Sequence, residues 1–227
     1  MRYKGFTLAE VLITLGVIGV VAAITMPSLI ANYQKHVTVN RLKKEYTTLA
    51  QAFAYSVGEN GEPQTWDVEN LDSYEFAKKY FYPYLKIVKD CGMETTGDCA
   101  FTHSMINSDE QTPYPSSYVR FYLNDGTRIA LRLFNQDNSV WSNIYIDING
   151  NKKPNKYGKD IFMFSISFKS PNSGIIGRLR PSGKDTREEN ISDSQYGCSM
   201  TATFNAGSYC AALIMGDGWQ IKDDYPW

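Results

Sequence analysis

The chain has 227 residues, 43% of them hydrophobic, and a formal net charge of −1. Such a composition belongs to a folded protein rather than a disordered one. Its charge balance supplies no overall field to recruit nucleic acid or an acidic surface, and nothing in the sequence points to a nucleic-acid partner. Four cysteines fall into two close pairs, Cys91 with Cys99 and Cys198 with Cys210, without a CxxC, a Cys-His cluster or an HExxH. That pattern favours disulfides over zinc. Four cysteines allow three pairings. Joining near neighbours closes two short loops, each worth roughly 2.5–3 kcal/mol, and implies an oxidising compartment; the alternative is four unpaired thiols.

In chain order, the first feature is a basic segment, Met1-Arg2-Tyr3-Lys4-Gly5, followed by Phe6-Thr7-Leu8-Ala9-Glu10 and then by an uncharged apolar run from Val11 to Ala31. The run is long enough to cross the roughly 30 Å hydrocarbon core as a helix. No A-x-A-like site follows it, as a removable secretory signal would require. Glu10 at the edge of the run is costly: a charge near the bilayer centre costs on the order of 2.5–3.5 kcal/mol, less near an end, and usually has a partner or a function. A cut between Gly5 and Phe6 would create that partner, because the new α-amino group of Phe6 could pair with Glu10 of a neighbouring subunit.

Gly5-Phe6-Thr7-Leu8-Ala9-Glu10 before an apolar helix resembles the N-terminal motif of type IV pilins and type II secretion pseudopilins. The resemblance implies cleavage after Gly5 by a prepilin peptidase, methylation of Phe6 by the same enzyme, and a role for Glu10 in filament assembly. It also places Pro27 at the family's helix-bending position; proline removes an intrahelical hydrogen bond whatever the family. The implied partners are identical or related pilin subunits, the peptidase and methyltransferase, an inner-membrane assembly platform and membrane lipid. The implied location is the bacterial inner membrane, crossed once, with the globular part outside the cytoplasm. Arg2 and Lys4 agree with that orientation, whereas Lys35, Arg41, Lys43 and Lys44 beyond the span count against it. Gly16, Gly19 and Ala23 offer small surfaces for helix packing.

Beyond Asn32, apolar residues recur every three or four positions at Val39, Leu42, Tyr46, Leu49, Phe53 and Val57, so the helix is expected to continue and stop near Gly58–Gly61. The resulting divisions are a leader (1–5), a membrane half-helix (6–31), an amphipathic half-helix (32–60) and an extracytoplasmic globular domain (61–227). A second helix is expected over Ser73–Lys89, bent or split by Pro83, with Phe76, Tyr80, Tyr84 and Val88 at four-residue spacing as a buried, mainly aromatic stripe. Strands follow at Tyr118–Leu123, Arg128–Phe134, Val140–Ile148 and Ile161–Phe168, with a turn at Asn124-Asp125-Gly126. Phe162, Phe164, Ile166 and Phe168 alternate, and should cover the sheet face that receives the long helix. Residues 170–194 are polar and are expected to form an exposed excursion. The fold class is therefore α+β: a long N-terminal helix packed on an antiparallel sheet.

Asp147, Asn149 and Asn151, with Gly150 at the turn and Asp160 returning later, mimic part of a calcium loop, and calcium is the one possible cofactor. Some major pseudopilins bind calcium in a comparable loop. The EF-hand glutamate is missing, four lysines intervene, and an Asx-rich turn bonded to its own backbone would look the same. Trp219 and Trp227 are expected to pack on the sheet, and the second cysteine loop to act as a stability staple. His36 and His103 are read as surface residues outside any catalytic motif, so no enzyme is expected. The chain is thus expected to be a structural subunit of a pilus, competence filament or secretion pseudopilus, the alternative being a membrane-anchored binding or enzymatic domain.

Overall fold

The computed structural model describes residue 5 and residues 7–171 and 175–227. Phe6 and residues 1–4 and 172–174 lie outside the described set, including the expected methylation position. Contacts divide the chain into two units, Met1–Val37 and Thr38–Trp227. The first unit holds the beginning of helix α1 (Leu8–Asn60). Its apolar side chains, from Leu8 through Ile30, are broadly exposed, and among the described residues α1 is the one helix long and apolar enough to cross a membrane. Pro27 lies inside α1, where its ring frees the Ala23 carbonyl from the helical ladder.

The second unit is an antiparallel sheet packed against the rest of α1. Its six strands stand in the order β1 (Ile87–Gly92), β4 (Val119–Leu123), β5 (Arg128–Gln136), β6 (Ser139–Asp147), β7 (Ile161–Lys169) and β8 (Arg180–Pro181). A separate two-stranded sheet joins β2 (Thr102–His103) to β3 (Thr112–Pro113). Period-two alternation sorts the main sheet into two faces. Val119, Phe121, Ile129, Leu131, Ile144, Ile146, Phe162, Phe164, Ile166 and Phe168 point to the main core, which they share with Val39, Leu42, Leu49, Ala52 and Phe53 of α1. Tyr46 stacks on Phe164 at 5.5 Å between ring centroids. The expected pairing of helix and sheet face is therefore present, as α+β.

Helix α2 (Ser73–Tyr80) is fixed at its start by Asp72, whose carboxylate accepts from the Tyr74 and Glu75 amides while Glu75 reaches back to the Asp72 amide. The expected helix to Lys89 stops well short. Pro83 cannot extend an α-helix without losing a bond and clashing with the preceding turn, so Tyr82–Tyr84 form a 3-10 turn and the chain enters β1. Phe76 and Tyr80 are buried, the latter stacked on Trp66 at 4.0 Å, but Val88 faces outward on an edge strand.

The polar excursion contains β8 and α3 (Arg187–Ser192). It is anchored by buried Asn190, whose side-chain oxygen accepts from the Lys184 amide and whose NH₂ donates to the Lys184 and Thr186 carbonyls. Helix α4 (Cys210–Gly216) follows. Disulfides join Cys91 to Cys99 and Cys198 to Cys210.

Candidate functional site

Within the first unit, α1 opens on a reciprocal cap. The Thr7 amide and hydroxyl donate to Glu10 Oε2 at 2.8 and 2.9 Å, and the Glu10 amide donates to Thr7 Oγ1 at 3.2 Å. Thr-x-x-Glu at a helix start is a capping-box signal that the membrane cost of Glu10 alone does not reveal. Gly5 is exposed and outside the helix.

The candidate calcium residues do come together, but around an arginine. Arg128 and Asp147 face each other across β5 and β6, are both buried, and lie 3.8 Å apart. Arg128 also donates to Asn151 Oδ1 at 2.5 Å and to the Ala100 carbonyl, with its guanidinium 4.4 Å from the Phe101 ring centre. Asp160 accepts from the Asn155 and Lys156 amides at 2.8 and 2.6 Å and from the Asn149 NH₂ at 2.9 Å. Burial, with Asp160 nearby, pushes the Asp147 carboxyl up to about 8. Gly150 sits at φ +71°, and a Cβ there would meet the Gly126 carbonyl oxygen at 2.5 Å. Asp160 is thus held by its donors and Asn151 by Arg128, whose guanidinium already brings a positive charge to the loop, while Asp147 Oδ2, Asn149 Oδ1 and Asn155 Oδ1 are buried without a hydrogen-bond partner. Among the described residues no group of three His, Cys, Asp or Glu side chains is arranged to hold a metal.

His103 departs from the expected surface position. It lies between the rings of Tyr114 and Tyr157, at 4.4 and 4.7 Å, with Nδ1 buried and unbonded. Burial lowers its pKa to about 4, so it is a neutral packing residue in a tyrosine cluster. His36 is exposed. Trp219 packs against the main core, tilted on Tyr46 of α1, with Lys43 at 5.7 Å from its ring centre. Trp227 packs at the margin of the main core beside Tyr225.

Residues 28–227 match a family of unknown function, DUF6613. The chain belongs to that family. Residues 1–26 match the prokaryotic N-terminal methylation motif, the prepilin-type signature of type IV pilins and pseudopilins. In this DUF6613 chain the motif covers Gly5, Phe6, Glu10 and the opening turns of α1. Motif and apolar helix together fit inner-membrane anchoring of a pilin-like subunit. No curated protein and no solved structure matches the chain.

Proposed function

We propose that this DUF6613 protein is the precursor of a filament subunit, cut between Gly5 and Phe6, N-methylated at Phe6 and assembled through Glu10 with copies of itself or related pilins. The observation that carries the reading is the methylation motif running without interruption into an exposed apolar helix. A freed ammonium at Phe6 and a carboxylate on the first turn of another subunit's helix are complementary charges in a medium where neither is cheaply left alone. The role is structural, and α1 anchors each subunit in the inner membrane as a single span before assembly.

Coexpression with a prepilin peptidase tests this directly. N-terminal sequencing of the product should begin at methylated Phe6. An otherwise folded precursor that is never cut would overturn the filament reading.

A further inference from the structure

The outer face of the main sheet is covered only in part. Phe101, Tyr114 and Tyr118 form a small second core over Ala130, Tyr145 and Ile161. Farther along the same strands a groove of about 510 Å³ remains, within the size range of small-ligand sites. Strand register builds its floor: Arg132 pairs with Asn143, Asn143 with Ser165, and Ser165 with Arg180. Four polar side chains thus stand in one row across β5 to β8. In the next row Phe134 is opposite Trp141, and Trp141 opposite Ser167.

These groups are free to act on something else. Among the described residues, the side chains of Asn143, Ser165, Ser167 and Arg180 make no hydrogen bond or ion pair, and neither does the Trp141 N–H. Ser182, which also lines the groove, is only 7% exposed, and its buried Oγ has no partner, a state that buried polar atoms rarely keep. Trp141 is held flat by Phe134, with ring centroids 4.9 Å apart and planes within 2°. Tyr196 and Tyr209, 5.6 Å apart, line the groove as well. Its two cations are Lys169, already bonded to Glu69 at 2.6 Å, and unpaired Arg180; no carboxylate lines it.

We propose that this groove binds an acidic polysaccharide of uronate type, one sugar ring lying on Trp141 and its carboxylate meeting Arg180. A sugar ring has an apolar C–H face suited to an indole and a rim of hydroxyls suited to a row of serine and asparagine groups, which both donate and accept. The guanidinium fork matches a carboxylate in two parallel bonds. Single-stranded nucleic acid would need cations repeated along its backbone, whereas this groove has one unpaired cation among its described lining residues. The groove's lining residues include neither Gly5 nor Glu10, so the proposal stands whether or not the chain forms filaments.

The test is calorimetric titration of the full-length protein in detergent with a galacturonate hexamer, a neutral galactose hexamer and a thymidine oligonucleotide. The galacturonate hexamer should bind best. Arg180→Gln should weaken it by about tenfold and abolish the preference for acid over neutral sugar, and Trp141→Ala should weaken both sugars. Arg180 is half-buried on the edge strand β8, and an unchanged melting temperature in Arg180→Gln separates loss of binding from loss of fold. Absence of binding by the galacturonate hexamer, unchanged affinity in Arg180→Gln, or tighter binding of the oligonucleotide would overturn the proposal.

Discussion

Glu45 faces the core from α1 at 3% exposure, with the Lys44 ammonium 3.3 Å from one carboxylate oxygen and no partner for the other. Lys44 also pairs with Asp125 on the β4–β5 turn. Burial, and then Asp125, pushes the Glu45 carboxyl from an ordinary 4.5 up to about 7. The folded chain therefore holds this proton where the unfolded chain releases it. Its contribution to stability is full below about pH 4.5, falls as pH rises toward about 7, and is gone above that. Glu45→Gln should flatten that slope in pH-resolved thermal melts, raising stability above pH 7 by up to about 3 kcal/mol; an unchanged slope would assign the pH dependence to other groups. Arg128→Met should do the reverse of stabilising. It strips donors from Asn151 and the Ala100 carbonyl and removes the charge 3.8 Å from buried Asp147, and denaturant unfolding should register a loss of about 3–5 kcal/mol. Millimolar calcium is expected to leave the melting temperature of the unaltered protein where it is, because the Arg128 guanidinium already stands beside Asp147 and is bonded to Asn151. Glu10→Ala should leave membrane insertion and peptidase cutting intact while abolishing incorporation into filaments, read by cell fractionation and shear-released polymer.

At the level of elements, the buried half of α1 carries the most. Leu49 is 1% exposed within the helix–sheet core, so Leu49→Ala should cost about 2–5 kcal/mol in equilibrium unfolding. The α1 stripe and the four long strands were legible in the sequence because each buries one face, which leaves a three-to-four or a two-residue rhythm. Strand β1 was not. Its apolar Val88 points outward, and the aromatic spacing upstream extends a helical pattern past the proline that ends it. Short β8 gives no rhythm at all, since an arginine and a proline at a sheet edge read as loop. The loop around Asp147 was found as a cluster, but the residue that organises it, Arg128, is nineteen positions upstream and reaches it only through strand pairing. The outer groove was hidden for the same reason: Asn143, Ser165 and Arg180 look like ordinary solvent-facing positions until register sets them side by side. The Thr7–Glu10 cap, in contrast, was present in the spacing.

Taken whole, the chain changes character at Thr38, where the second unit begins inside α1. A fragment starting at Thr38 should be water-soluble and keep both disulfides, whereas one starting at Gly61 should aggregate, since it lacks Leu42, Leu49 and Phe53 from the core; size-exclusion chromatography separates the two outcomes. The anchor and the folded domain thus share one continuous element but not one source of stability. The cap at the head of that element has a consequence for the proposed filament. Glu10 is already bonded within its own first turn, so joining a neighbour is a trade of partners rather than the capture of an idle charge. The driving force at that contact is then the difference between two satisfied states rather than the full worth of a new ion pair.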